Sequence, residues 1–218
     1  MKIRATVRFA ALLLTPAVPP APAAAQSPDE GTLVIHAGDR EVGGESFRVT
    51  VTEGTVRVAS KSVFTGTRPA TEFTVNSERT ATGALAFQLA YRGVAGAGEV
   101  YAVQQRSRLT MRRVEKGAER ASEVPGGPSI LLLADSTFSP ILQAISLAAE
   151  TPRAVTAFIP RSGRKLALTI RRVPAAAGGS DQVQITGDLE ASIDLGPGGE
   201  VVRILYPSLG MEAVRKRD

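Results

Sequence analysis

Apolar and polar residues alternate one by one along much of the chain, and this pattern restricts the fold more than any other feature. The clearest runs lie at residues 47–51, 56–58, 73–75, 85–91, 166–170 and 189–195. A strand places successive side chains on opposite faces, so each run has one face to bury and one to leave in water. One-sided burial of this kind is typical of antiparallel sheets.

Turn-forming residues separate these runs, as at Gly43-Gly44, Glu53-Gly54 and residues 196–199. Glycine and proline adopt the backbone conformations that join neighbouring strands. We therefore predict a mainly β fold of roughly eleven strands. Its form is a curved antiparallel sheet, either a half-barrel or an open barrel. The polar stretch at residues 116–128 is interpreted as an exposed loop.

One segment departs from the alternation. From Phe138 onward, apolar residues recur every three or four positions, which predicts one mid-chain amphipathic helix of about three turns. Ser139 suits its N-cap and Pro140 its first turn. We expect this helix to cover the sheet as a lid. The residues expected to contact a ligand beneath it are Phe138, Ile141, Leu142 and Ile145.

The first 25 residues have the three regions of an export signal in the correct order. A basic start is followed by an apolar run at residues 9–14 and by the small residues Ala23-Ala24-Ala25. This predicts cleavage after Ala25, export to the periplasm or beyond the cell, and a single β-rich domain at residues 26–218. Residues 1–25 carry three basic and no acidic residues, so their removal lowers the net charge from +5 to +2. The composition then gives nucleic-acid binding little support.

The chemistry available to the chain is narrow. It has no cysteine and a single histidine, His36, so thiol catalysis and a histidine-rich metal site are excluded. Asp188, Glu190 and Asp194 occupy even positions of one predicted strand, and Asp135 follows an apolar run. Paired carboxylates hydrolyse glycosidic bonds, but the opposite face of the same predicted strand, at residues 189, 191, 193 and 195, is apolar. We therefore favour a solvated acidic face, and expect no catalytic residue, metal or cofactor.

Three parts of the chain suggest a known architecture: Gly43 to Val49, Phe138 to Ala149, and Ile185 to Tyr206. Together with the export signal and the strand pattern, they resemble the bacterial periplasmic proteins built on a curved half-barrel. The outer-membrane lipoprotein carrier family is the best known of these. The resemblance covers most of residues 30–215 and rests on pattern. It implies an open sheet whose apolar concave surface, under helices, binds acyl chains in the carrier.

We therefore expect a non-enzymatic binding protein of the periplasm or cell envelope. Its apolar concave surface would hold a lipid or another amphipathic molecule. Two alternatives remain open. One is an envelope hydrolase that uses Asp188, Glu190 and Asp194, or Asp135. The other is a structural module that pairs with an envelope protein partner through an exposed strand edge. No membrane span is expected, because no stretch of about 20 apolar residues occurs.

Overall fold

A computed structural model describes residues 28–66, 69–94, 96–135, 137–175 and 180–216. The predicted export signal lies outside these described residues. Within them the chain forms fifteen strands and two short 3₁₀ helices. The strands are β1 (Asp29–Ala37), β2 (Arg40–Thr52), β3 (Thr55–Phe64), β4 (Thr71–Arg79), β5 (Leu85–Gly93), β6 (Gly96–Gln105), β7 (Arg108–Glu115), β8 (Ala118–Pro125), β9 (Ile130–Leu132), β10 (Arg153–Ile159), β11 (Arg164–Val173), β12 (Asp181–Gly187), β13 (Ala191–Leu195), β14 (Val201–Tyr206) and β15 (Met211–Arg215). The helices are Ser139–Ser146 and Pro207–Leu209.

All fifteen strands belong to one open sheet. Strands β1 to β8 follow one another across one half, β15 to β9 follow one another across the other half, and β1 lies beside β15. Each neighbouring pair is antiparallel except β9 and β10. The prediction of a mainly β, antiparallel fold is confirmed, although the sheet has more strands than the roughly eleven predicted.

The link between β8 and β9 forces this sheet to bend. Only residues 126–129 join the two strands, and a connection of that length spans at most about 18 Å. In a flat sheet the same strands would lie roughly 67 Å apart, because neighbouring strands are about 4.8 Å apart. The two ends of the sheet therefore come together.

The bend places β9 and β10 between two layers of the same sheet. On one side, Leu131 and Leu133 belong to the main apolar core, which β1–β3 and β10–β15 also build. On the other side, Ile130, Leu132 and Phe158 pack on apolar side chains of β4–β7. Strand β9 is therefore buried on both faces although it lies at an edge of the sheet.

The mid-chain segment is not the amphipathic lid that its spacing predicts. Residues Ser139–Ser146 form a 3₁₀ helix, here called the inner helix, and its first six residues are all buried. It contacts β2, β3, β4 and β9, so the sheet encloses it instead of leaving one face in water. Apolar residues at three-residue spacing fit a 3₁₀ helix as well as an α-helix. The periodicity alone therefore could not separate the two.

Part of the stretch interpreted as a loop is the edge strand β8. Its residues are exposed except Val124, and it pairs with β7 alone. The ion pairs Arg108–Glu123 and Arg112–Glu119 connect the two strands. Because β8 has almost no apolar residues that could alternate with polar ones, its sequence pattern does not predict a strand. Charged side chains of this kind discourage an edge from pairing with another chain.

Candidate functional site

The bent sheet has two rims, and a groove opens at each. At one rim the strands meet in three facing pairs that all line the same groove: Phe64–Thr71, Ile159–Arg164 and Tyr206–Met211. At the opposite rim three other facing pairs line a second groove: Asp29–Val49, Val51–Val56 and Leu195–Val201. The inner helix lies between the two grooves and contributes residues to the second, while Phe138, directly before it, lines the first.

The first groove, here called the aromatic groove, has a volume of about 580 Å³. Leu209 lines it and is 61% exposed. The other apolar lining residues are Phe64, Phe73, Leu133, Ala134, Phe138, Ile159, Leu166, Leu189, Tyr206 and Met211, and the polar ones are Thr71, Asp135, Thr137, Arg164, Asp188 and Ser208. Small-molecule sites commonly occupy about 300–1,000 Å³ and combine apolar walls with a few polar groups. The aromatic groove has both properties.

A buried carboxylate supports one part of the groove lining, Phe138. Glu45, on β2, is fully buried, and its two oxygens accept hydrogen bonds from the backbone N–H groups of Phe138 at 2.8 Å and Ser139 at 2.9 Å. N–H groups at the start of a helix have no acceptor within the helix. The Ser139 hydroxyl also lies 2.5 Å from the hydroxyl of Ser60 on β3. These contacts fix the position of Phe138 in the groove.

Tyr206 packs against the same residue. Its ring meets that of Phe138 edge-on, with the centroids 5.2 Å apart. Burial, together with the negative charge of Glu45, raises the pKa of the Tyr206 phenol well above its usual value. The phenol therefore stays protonated throughout the physiological pH range. A protonated hydroxyl beside apolar rings suits ligand binding better than proton transfer, which needs a pKa near the working pH.

A polar network lies beside the groove, where the two ends of the sheet meet. The Arg161 guanidinium, between β10 and β11, lies 4.2 Å from the centre of the Tyr91 ring and 3.6 Å from a carboxylate oxygen of Asp135. Tyr91 donates a hydrogen bond to Glu115, which lowers the pKa of that carboxyl. Burial raises the pKa of the Tyr91 phenol. The network connects β5 and β7 to the turn between β10 and β11.

Several buried side-chain polar atoms have no hydrogen-bond partner among the described residues. They include the hydroxyls of Ser62, Ser77 and Thr137 and both side-chain polar atoms of Gln143. A buried polar atom without a partner costs about 1–3 kcal/mol. Of these residues only Thr137, which is 5% exposed, lines the aromatic groove. Its hydroxyl oxygen is covered by protein atoms, so a ligand acceptor reaches it only after the side chain rotates towards the groove.

The second groove, here called the aliphatic groove, has a volume of about 750 Å³ and no aromatic lining residue. Its apolar lining residues are Val49, Val51, Val56, Leu142, Ile145, Leu195 and Val201. The two arginines in its lining are already paired, Arg215 with Asp29 and Arg172 with Asp181, each at 2.7 Å. This groove therefore offers apolar surface but, among its lining residues, no cation free to bind a ligand.

The structure divides the four residues predicted to contact a ligand. Phe138 lines the aromatic groove, and Leu142 and Ile145 line the aliphatic groove. Ile141 is fully buried in the core and lines neither. A lid over one cavity would have placed all four on one surface, whereas the enclosed inner helix and the residue before it present different side chains to each rim.

The carboxylates considered for hydrolysis are also separated. Asp188 and Glu190 lie in the turn between β12 and β13, and only Asp194 lies in a strand. The prediction that the three share one strand face is wrong, because Gly187 takes a positive φ of 117° and ends β12. Asp188 and Asp135 both line the aromatic groove, whereas Glu190 and Asp194 do not.

The sequence patterns do not single out Glu45 or Thr137 as site residues. Glu45 has a usable signal, because it precedes Phe47 by two positions and so shares the buried face of β2. A carboxylate on a buried face needs a hydrogen-bonding partner, and that requirement could have marked it. Thr137 has no such signal, since it lies outside the alternating runs.

Comparisons with known proteins do not extend the argument. No protein-family model, no curated protein and no solved structure matches the chain. Within the described residues, no helix has the length and apolar character needed to cross a membrane, and no three histidine, cysteine or acidic residues are grouped as metal ligands. The likeness to the lipoprotein carrier family stays a prediction, and the aromatic groove is the feature of the structure that bears on function.

Proposed function

We propose that this protein is a non-enzymatic binding protein of the periplasm or cell envelope that holds an amphipathic ligand, such as a lipid, in the aromatic groove. The observation that carries the proposal is the lining of this groove, which is apolar over most of its surface and includes the exposed Leu209. Apolar surface removed from water stabilises a complex by about 25 cal/mol per Å². The predicted export signal and the resemblance to curved half-barrels support the same function.

The groove is also held in shape before a ligand arrives. Glu45 fixes Phe138 through two hydrogen bonds, and the Phe138 ring packs against Tyr206. A site that is ordered in the free protein loses less conformational entropy on binding and so binds more tightly. Phe138 and Tyr206 therefore suit the rigid, apolar part of a binding surface. The polar groups of the groove would recognise the head group of the ligand.

The test compares two substitutions to aspartate at apolar residues of equal exposure. Leu209 is 61% exposed and lines the groove, whereas Val94 is 62% exposed and does not. We expect Leu209→Asp to weaken binding of an uncharged naphthylamine dye about tenfold, because one apolar contact is worth about 1.5 kcal/mol. Val94→Asp should leave the affinity unchanged. Fluorescence titration of the purified mature chain measures both.

Lipids extracted from the purified protein and identified by mass spectrometry give a second readout. The proposal expects an amphiphile that is retained by the wild type and by Val94→Asp and depleted in Leu209→Asp. Failure of the wild type both to bind the dye and to carry an amphiphile would overturn the proposed function. Equal loss of dye binding in the two variants would place the dye elsewhere and overturn the assignment to this groove.

One observation favours a hydrolase as a second candidate. Asp135 and Asp188 line the same groove, and two carboxylates around one substrate are the usual requirement for glycoside hydrolysis. A hydrolase would convert the extracted ligand on incubation, and Asp188→Asn would abolish the conversion. A binding protein returns the ligand intact, which mass spectrometry before and after incubation distinguishes.

A further inference from the structure

The charges of the aromatic groove bear on the head group of its ligand, an inference that rests on the proposed function. Asp135 is compensated by Arg161 at 3.6 Å. Arg164 and Asp188 differ from it, because both line the groove and neither forms an ion pair within the described residues. Both side chains are exposed. The groove therefore presents one cation and one anion that, within the described chain, have no charged partner.

Asp188 is held in place by two hydrogen bonds to the backbone of Ala167. One of its carboxylate oxygens accepts the backbone N–H of Ala167 at 2.8 Å, and its own N–H donates to the carbonyl of Ala167 at 3.0 Å. These two bonds anchor the residue to β11, the strand that begins at Arg164. The cation and the anion thus belong to neighbouring parts of one rim.

A third polar group lies among the apolar lining residues. The Thr137 hydroxyl has no partner within the described chain, and the residue is 5% exposed beside Phe138. A buried hydroxyl gains most from a ligand atom that accepts its hydrogen bond. An ester carbonyl between an acyl chain and a head group is such an atom, and the Thr137 side chain, whose hydroxyl is covered in the free protein, rotates towards the groove to reach it.

We infer that the ligand is a single-chain amphiphile with a zwitterionic head group, for which a phosphoethanolamine head is the probe. The acyl chain packs on the aromatic and aliphatic lining, the phosphate pairs with Arg164, and the ammonium pairs with Asp188. An anionic head alone would leave Asp188 repelled, and an uncharged head would leave both charges without a partner. The volume of about 580 Å³ suits one chain and its linkage.

The experiment measures displacement of the dye by three single-chain lipids with the same ester-linked chain, each below its micelle-forming concentration. Their head groups are phosphoethanolamine, phosphoglycerol and uncharged glycerol. We expect the phosphoethanolamine lipid to displace the dye at a concentration about threefold lower than the phosphoglycerol lipid and about tenfold lower than the uncharged lipid, because they lack one and two charged contacts and each exposed contact is worth a factor of about three.

Two variants and two matched controls assign this preference to its residues. Asp188→Asn keeps an oxygen for the Ala167 N–H, and we expect it to bind the phosphoglycerol lipid as well as the zwitterionic one. Arg164→Gln keeps only the ammonium contact, so its preference for the zwitterionic over the uncharged lipid should fall to about threefold. Glu190→Gln and Lys165→Gln remove neighbouring exposed charges that do not line the groove, and should keep the wild-type preference.

The outcomes separate the two proposals. If neither the dye nor any lipid binds, the proposed function fails and the head-group inference fails with it. If the three lipids bind the wild type equally, the binding function stands and the zwitterionic head group is wrong. The zwitterionic head group is also wrong if Glu190→Gln and Lys165→Gln change the preference as much as the groove variants do.

Discussion

Two buried charged side chains, Glu45 and Arg79, bind backbone groups towards opposite rims of the sheet. Glu45 is fully buried and accepts two backbone N–H groups at the start of the inner helix. Arg79, on β4, is 5% exposed and donates hydrogen bonds to the backbone carbonyls of Ile130 and Pro128. Each secures a chain segment that lies inside the sheet and cannot pair fully with it.

Glu45 and Arg79 differ in the groove that lies next to each of them. Glu45 supports Phe138 and therefore one part of the aromatic groove. Arg79 faces Val56, a lining residue of the aliphatic groove, across the β3–β4 pair. Burial lowers the pKa of Arg79, and the charge of Arg153 lowers it further. Both residues therefore stabilise the fold by bonding a charged side chain to unpaired backbone groups. Glu45 also supports the candidate site, whereas Arg79 does not.

The largest expected effect is that of Glu45→Ala. The substitution leaves two buried N–H groups without an acceptor, so we expect the free energy of unfolding to fall by about 3 kcal/mol in urea denaturation. Dye affinity for the aromatic groove should fall as well, because Phe138 loses its support. Glu41→Ala, at an exposed residue near the start of β2, is the control. Similar losses in the two variants would contradict the role given to Glu45.

Arg79→Ala comes next. It leaves the carbonyls of Ile130 and Pro128 without these donors, and we expect a loss of about 2 kcal/mol in unfolding free energy. Dye affinity for the aromatic groove should stay at the wild-type value, since Arg79 lies at the other rim. Arg57→Ala breaks an exposed ion pair with Glu78 and should cost less than about 1 kcal/mol. A loss of dye affinity in Arg79→Ala would contradict the claim that Arg79 serves stability alone.

Arg161→Ala tests whether a partly buried cation holds the two ends of the sheet together at the rim of the aromatic groove. It removes the contact with the Tyr91 ring and the ion pair with Asp135. We expect a loss of about 1 kcal/mol, because such contacts are worth little when water screens them. Thermal unfolding measures the change. Lys165→Ala, at an exposed neighbouring residue, should have no effect, and an equal shift there would contradict the role given to Arg161.

The smallest expected effect is a pH dependence at Glu115. The hydrogen bond from Tyr91 lowers the pKa of this carboxyl in the folded protein. Its stabilising contribution is therefore fully present above the ordinary carboxyl pKa of about 4.3 and is lost as the pH falls through the lowered value. Tyr91→Phe removes the bond, so the stability difference between wild type and variant should shrink from pH 7 towards pH 3. A difference that is constant with pH would contradict this.

Prediction from sequence succeeded where neighbouring residues decide the structure. Strands β2, β3, β4, β5 and β11 follow from alternation, because each has a run of apolar residues on one face. Strand β8 does not follow from alternation, because both of its faces are polar. The amphipathic helix predicted from Phe138 is not confirmed, because three-residue spacing also fits a 3₁₀ helix and does not reveal whether water or protein lies on the other side.

The sequence by itself determined which side of most strands is buried, because a two-residue period acts within a strand and needs no knowledge of its partners. It did not determine that Phe138 would lie at one rim with Asp188 and Thr137, while Ile145 would lie at the other. Only the tertiary structure decided this. The short link between β8 and β9 brings the ends of a long sheet together around the inner helix, and no local pattern encodes which distant surfaces then meet.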